Sequence, residues 1–291
     1  MKILVTGSDG FIGQNLTAHL QKNHEVVKYP IMGDMPDLSD IDQVVHLGAI
    51  SSTTEKNVNM IMDHNYDFSY KLLMHCIENE VDFAYASSAS IYGSPITFDD
   101  VNSGIFDAEG AGGFRENQNL SPQSPYAWSK YMFDRLVIKT LNYDLPIKIQ
   151  GFRYFNVYGP KEMDKGDQAS VITKWVMNEK ITLFKGSENF YRDLIHVDDV
   201  CRIHEKFFKI EESGIWNVGT GYAMNFEFLA NQISKFTGFE IEYVDFPEHL
   251  KSQYQCFTKA DTTKLLNTLV NYDFINTLDP QYYIKYAKPQ V

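Results

Sequence analysis

No apolar run in this chain approaches the ~18 residues that a membrane span requires. Cysteine is scarce: Cys76, Cys201 and Cys256 are far apart and odd in number. That pattern excludes a disulfide frame, argues against a metal site, and points to buried thiols in a reducing compartment. Positive charge is in deficit, with 26 Lys and Arg against 38 Asp and Glu and a net charge of −12. A nucleic acid or an anionic membrane is therefore a poor main partner, whereas a phosphate-bearing small molecule is not excluded, because local fields decide that case. Repeats, charge blocks and linkers are absent. The chain opens directly on MKILVTG, a strand-like start that leaves no room for a signal peptide. The expectation is a soluble cytoplasmic protein.

What is present is a large apolar and aromatic content. Hydrophobic residues make up 44% of 291 positions, with 18 Tyr and 20 Phe, enough for a sizeable core and incompatible with a disordered chain. Residues 2–6 form a short apolar run, a buried parallel strand, followed by Gly7-Ser8-Asp9-Gly10-Phe11-Ile12-Gly13 and a helical pattern to Leu20. Glycines at this spacing permit a tight turn and let backbone amides approach a pyrophosphate at the helix N-terminus. Asp9, Phe11 and Ile12 fall within this dinucleotide-binding turn.

A second strand spans residues 25–29. Dinucleotide folds commonly end this strand on an acid that holds the ribose 2′-hydroxyl; here it ends Val27-Lys28-Tyr29-Pro30. The absence tilts towards NADP, with Lys28 either a partner for a 2′-phosphate or an ordinary surface lysine. Only residues 31–41 precede the next strand at 43–47, too few for a helix, a strand and both turns. That unit is expected to be trimmed to a loop, with a residual strand near 35–38. Asp37 and Leu38 are candidates for the adenine contact, Asp34 the alternative, and either acid could be a turn residue. Further strands are expected at 81–86, 147–153, 181–184 and 194–196, with helices at 57–79, 125–142, 169–178, 198–210 and 225–237. Residues 94–124 are polar and glycine-rich and read as a mobile loop. Alternating strands and helices indicate an α/β, Rossmann-type doubly wound parallel sheet. A smaller, interleaved lobe is expected beside it, with the substrate at the C-terminal ends of the strands.

Tyr126-Ala127-Trp128-Ser129-Lys130 carries the chemistry. Four residues apart on a helix, Tyr126 and Lys130 share one face. A unit charge at ~4 Å in an effective dielectric of ~20 is worth ~4 kcal/mol. An ammonium there is expected to draw a phenol from its usual pKa of ~10 towards neutrality. Such a tyrosine could take a proton from an alcohol while hydride leaves the same carbon. On its own the spacing is equally that of an amphipathic helix with an exposed lysine.

Six motifs in order decide between those readings: GSDGFIG, YASSASIYG, Tyr126-x-x-x-Lys130, FRYFNVYGP at 152–160, YRDLIHVDD at 191–199 and NVGTG at 217–221. Together the chain resembles the extended short-chain dehydrogenase/reductase family. Within it, GAISSTTE at 48–55, HNY at 64–66, GPKEMDKGDQASV at 159–171, LFKGSENFYRD at 183–193 and YQCFTKADTTKL at 254–265 are most similar to ADP-glycero-manno-heptose 6-epimerases. The resemblance implies a homo-oligomeric nucleotide-sugar epimerase that binds NAD or NADP and requires no metal. Its dinucleotide domain would span 1–157 and 191–221, and its substrate lobe 158–190 and 222–291.

By the same resemblance, Ser88 bonds the reacting hydroxyl. Leu47, Ala49, Asn65, Phe152 and Asn156 contact the cofactor. Asn156, Ser170, Val171, Leu183, Phe184, Arg192 and Tyr254 join Ser88 around the sugar nucleotide, Arg192 pairing with the diphosphate. Tyr126 and Lys165 are the two acid/base groups on opposite faces of the sugar, although residues 161–167 could equally be a solvated turn. Transient oxidation at carbon 6, rotation of the aldehyde and return of hydride would invert that carbon and leave the cofactor unchanged. The chain departs from the heptose enzymes in the trimmed segment 31–41, in the 38 residues from Ser88 to Tyr126, and in Gln253 where they carry arginine. A hexose 4-epimerase would need no Lys165. A dehydratase would need an Asp-Glu pair where Ala89-Ser90 stand. A non-catalytic sugar-nucleotide sensor would have no use for Ser88, Tyr126 and Lys130 together.

Overall fold

The computed structural model describes residues 1–29, 33–52, 55–94, 96, 99–100, 107–108, 110–248 and 254–275, Asp167 by its backbone only. Thr53, Thr54, Gln253 and most of 95–106 lie outside the described residues. In chain order the strands are β1 (Lys2–Thr6), β2 (Glu25–Tyr29), β3 (Gln43–His46), β4 (Asp82–Ser88), β5 (Ile149–Tyr154), β6 (Asn156–Tyr158), β7 (Ile181–Phe184), β8 (Tyr191–His196), β9 (Gly214–Val218), β10 (Ala223–Asn225), β11 (Ile241–Val244) and β12 (Phe257–Thr258). The chain forms two compact units. The first holds residues 1–91, 122–154 and 200–216; the second holds 92–121, 155–199 and the chain from 217.

A six-stranded sheet, order β2-β1-β3-β4-β5-β9, organises the first unit, with β1 to β5 paired in parallel. Ile3, Leu4, Val5, Val44 and Val45 are at most 1% exposed. Strands covered on both faces read as unbroken apolar runs for this reason. This is the Rossmann-like α/β sheet the alternation predicts. Segment 33–42 is a loop, as its length requires, but the residual strand expected near 35–38 is not formed. Pro36 has no N–H for a ladder, its carbonyl accepts from His75 Nε2 at 3.0 Å, and Leu38 and Ile41 bury into the core below. Side chains hold the segment instead of a sheet.

The helix expected over 57–79 is interrupted. Helices Val58–Met62 and Phe68–Glu78 flank a π-turn at Asp63–Asp67. The next helix, Pro125–Thr140, starts at a defined place because Ser124 Oγ accepts from the Ala127 N–H at 3.2 Å and Pro125 supplies the first helical φ. No helix among the described residues is long and apolar enough to cross a membrane.

In the second unit β8 is central, flanked by β10 and β12 and also paired with β6, while β7 and β11 form a parallel pair. The core includes Trp175, Leu183, Phe190, Leu194, Phe226, Leu229 and Ile233. Asp193 ties this unit together. Its fully buried carboxylate accepts from Thr220 N and Oγ1 at 2.8 and 2.7 Å and from the Gly221 and Ala260 N–H groups at 2.9 Å. The described part of the 94–124 loop is joined to the same region. Phe114 pairs with Ala260 in a parallel bridge, and its carbonyl accepts from Asn217 Nδ2 at 2.6 Å.

Candidate active site

The first unit presents a cradle built from backbone. Gly7 has φ +66° and lies so close to Gly48 that an added Cβ would sit 2.7 Å from its Cα; a Cβ on Gly13 would lie 2.1 Å from the Gly7 carbonyl. Only glycines allow this turn, which bends the chain from β1 into helix Phe11–Leu20. Gly10 begins that helix with no side-chain cap and no acid in the first turn, leaving its first amides for an anionic ligand. Ser8 Oγ is buried without a partner among the described residues. An uncapped helix start, a glycine cradle and an unpartnered hydroxyl fit a dinucleotide pyrophosphate.

The strand following the cradle is fastened to it. Leu47 N–H donates to Thr6 O and Gly48 N–H to Thr6 Oγ1, each at 3.2 Å. Thr6 Oγ1 also bonds His46 Nδ1 at 2.6 Å, and His46 Nε2 bonds Ser69 Oγ at 2.7 Å. Burial lowers the His46 pKa to about 3, so the ring is a neutral bridge. Leu47 and Ala49 are half-buried at this strand end. Asn65, on the π-turn, accepts from Ile50 N at 2.8 Å and donates to Ile50 O at 2.9 Å and Ser129 Oγ at 3.1 Å. Its side chain thus binds the 48–52 loop to the Tyr126 helix, and π-turns often serve such sites. Lys28 and Asp37 are exposed, Asp37 Oδ1 accepting from Ser39 N–H at 3.0 Å. Leu38 and Phe152 are buried core residues.

Ser88, at the end of β4, is hydrogen-bonded to Tyr126. Its oxygen also accepts the Ser90 N–H at 3.2 Å. Lys130 is 5% exposed and donates to Ala86 O at 2.8 Å. The tyrosine departs from the direction expected of the pair. The Tyr126 pKa is raised, because burial outweighs the lowering by Ser88. Burial likewise lowers Lys130 to about 8, against the field of Asp134. A dry site desolvates both members of the pair, and that cost exceeds the Coulomb gain expected at the surface.

Asp134, one turn beyond Lys130, was not singled out from sequence, although the i, i+4 spacing offered the signal. It is fully buried, accepts from Arg153 Nε at 2.8 Å and from Tyr85 Oη at 2.9 Å, and anchors the Tyr126 helix to β4 and β5.

In the second unit Asn156 donates to Asp193 O at 3.0 Å and Thr258 Oγ1 at 2.9 Å, leaving its carbonyl oxygen for a ligand. Arg192 is 8% exposed and lies 5.4 Å from the Phe226 ring centre and 5.0 Å from that of Tyr254. Its NH1 donates to Tyr191 O at 3.0 Å. Tyr254 packs on Phe190 and Phe246, and Phe184 on Phe246, while Leu183 is core and Val171 packs against it. Lys165 is half-buried in the 3-10 turn Glu162–Gln168. Burial lowers its pKa, Glu162 opposes that and Lys174 adds to it. Glu162, also missed from sequence, accepts from Ser170 N and Oγ at 2.8 Å and Thr173 Oγ1 at 2.6 Å.

Residues 32–219 match the sequence profile of the NAD dependent epimerase/dehydratase family. The fold is similar to the Helicobacter pylori ADP-L-glycero-D-manno-heptose-6-epimerase, at 25% identity and TM-score 0.80 over 98% of this chain and 94% of that one. It is similar also to a UDP-N-acetylglucosamine 4-epimerase from Methanobrevibacter ruminantium, at 21% identity and TM-score 0.82 over 98% and 96%. The UDP-glucose 4-epimerase of Thermotoga maritima gives 22% and 0.79 over 99% and 97%.

Proposed function

The chain belongs to the NAD dependent epimerase/dehydratase family, and from that premise we propose that it inverts one carbon of a nucleotide-diphosphate sugar, most like carbon 6 of an ADP-heptose. The observation that carries the heptose reading is Lys165: a half-buried lysine of lowered pKa, on a turn held by a buried carboxylate.

In this reading the first unit holds NAD or NADP and the second the sugar nucleotide. The glycine turn with Asp9, Phe11 and Ile12 takes the pyrophosphate; Leu47, Ala49 and Asn65 lie at the cofactor, and Phe152, buried in the core, backs them without touching it. Bound dinucleotide supplies reversible hydride acceptance from the sugar carbon. Tyr126 Oη, oriented by Ser88, exchanges the hydroxyl proton on one face, and Lys130 holds the positive charge beside it. Lys165 Nζ exchanges the proton on the opposite face, because inversion puts the oxygen in two places. Asn156, Ser170, Val171, Phe184 and Tyr254 hold the sugar nucleotide, with Arg192 on its diphosphate and Leu183 in the core behind them.

With no acid closing β2 and Lys28 exposed there, NADP(H) is favoured over NAD; mass spectrometry of nucleotide released from purified protein checks this, and NAD alone sinks the Lys28 argument. Trp128, Met132, Ile138 and Tyr70 are 39–49% exposed on the two adjoining helices, an apolar surface that supports a homo-oligomer. Lys165→Met should abolish inversion of ADP-glycero-manno-heptose while cofactor and sugar nucleotide still bind, whereas Lys130→Met should also lower cofactor occupancy. Full inversion by Lys165→Met moves the reading to a one-base hexose 4-epimerase.

A further inference from the structure

A turn as polar as residues 161–167 has no apolar side chain, Met163 apart, to hold it against solvent. Glu162 is the buried side chain that ties it down. That side chain is 1% exposed, and its two oxygens collect three hydrogen bonds of 2.6–2.8 Å from Ser170 and Thr173. Ser170 is itself the N-cap of helix Val171–Met177, its Oγ accepting from the Thr173 N–H. One carboxylate therefore joins the first residue of the turn to the first turn of the helix after it, and Lys165 lies on the stretch so closed. A helix cap alone needs one acceptor; here two carboxylate oxygens take three donors.

We propose that Glu162 is the positioning residue for Lys165, fixing both ends of the turn and supplying the negative charge against which the ammonium is held. This rests on the reading of Lys165 as the second acid/base group. Among the charges that act on Lys165 are Glu162 on its own turn, which raises its pKa, and Lys174 on the following helix, which lowers it. Removing the first takes away a charge that raises the Lys165 pKa, so that pKa falls. Whether Lys165 gives or takes the proton, the limb of the pH–rate profile it sets moves to lower pH.

The test measures kcat and KM for inversion of ADP-glycero-manno-heptose against pH in Glu162→Gln, Thr173→Val and Lys165→Met. Glu162→Gln keeps an acceptor for Ser170 N–H but loses the charge. It should leave KM near wild type, lower kcat about tenfold and move that limb to lower pH. Thr173→Val removes one of the three hydrogen bonds to the carboxylate, with the long Ser170 Oγ contact at 3.3 Å, and keeps the charge; it should lower kcat about threefold with the profile unmoved. Should Glu162→Gln fail to fold, Thr173→Val carries the test, and an unchanged kcat there overturns the proposal. Wild-type kcat and pH profile in Glu162→Gln, with Lys165→Met inactive, overturns the positioning role alone. Normal inversion by Lys165→Met overturns this inference together with the reading of Lys165.

Discussion

Acid should loosen the first unit through two histidines, and the size of the effect follows from their burial. His46 and His204 are 2% and 1% exposed. Burial lowers each from 6.5 to about 3. His46 bridges Thr6 and Ser69; His204 Nε2 bonds Tyr154 Oη at 2.5 Å, with its ring against Phe152. A folded pKa below the unfolded one means the neutral ring belongs to the fold. This stability is complete above pH 6.5 and declines as pH falls towards the folded value. At pH 5, 1.5 units below the unfolded pKa, the loss is about 2 kcal/mol per ring, or about 4 for the pair. Against a typical total of 5–15 kcal/mol that is a large fraction. Urea unfolding at pH 7 and pH 5 measures it, and His204→Phe isolates one ring. The substitution strands Tyr154 Oη and costs about 1–3 kcal/mol at both pH values, but the difference between them should shrink by about 2 kcal/mol. A variant that loses as much stability between pH 7 and 5 as the wild type refutes the assignment of a neutral buried His204.

Other outcomes follow from the same geometry. Tyr126→Phe should remove turnover by a factor of about 10³ without altering cofactor occupancy, and Ser88→Ala should cost less, since it removes orientation and one hydrogen bond. Wild-type turnover in Tyr126→Phe takes the phenol out of the mechanism. Gly13→Ala drives a Cβ to 2.1 Å from the Gly7 carbonyl, and the strain of about 1–3 kcal/mol should appear as lost bound nucleotide at 260 nm in the purified protein. Normal occupancy there would mean the turn does not cradle the dinucleotide.

Local pattern made much of this molecule legible. The boundaries of β1, β2 and β7, the start of the Tyr126 helix and the glycine turn all rest on interactions within a few residues, which periodicity and capping residues record. The π-turn at 63–67 did not register, because what rewards it is Asn65 binding Ile50 and Ser129, 15 and 64 residues away. Asp193 stood inside a recognised motif without a role, since its partners Thr220 and Ala260 are 27 and 67 residues off. The pairing of Tyr126 with Lys130 was read at its right spacing but with a surface dielectric. Burial, which a pair rule does not contain, reversed the direction of the tyrosine's pKa.

Transient oxidation makes one demand that a mechanism working through a carbanion does not: the hydrogen removed from the inverted carbon returns to it without meeting solvent. The direct measurement is to incubate the purified protein with ADP-glycero-manno-heptose in D₂O and follow carbon 6 by NMR and product mass. Inverted product carrying protium at that carbon is the predicted result. Deuterium at the inverted carbon, or no inversion by protein with bound cofactor, would contradict it.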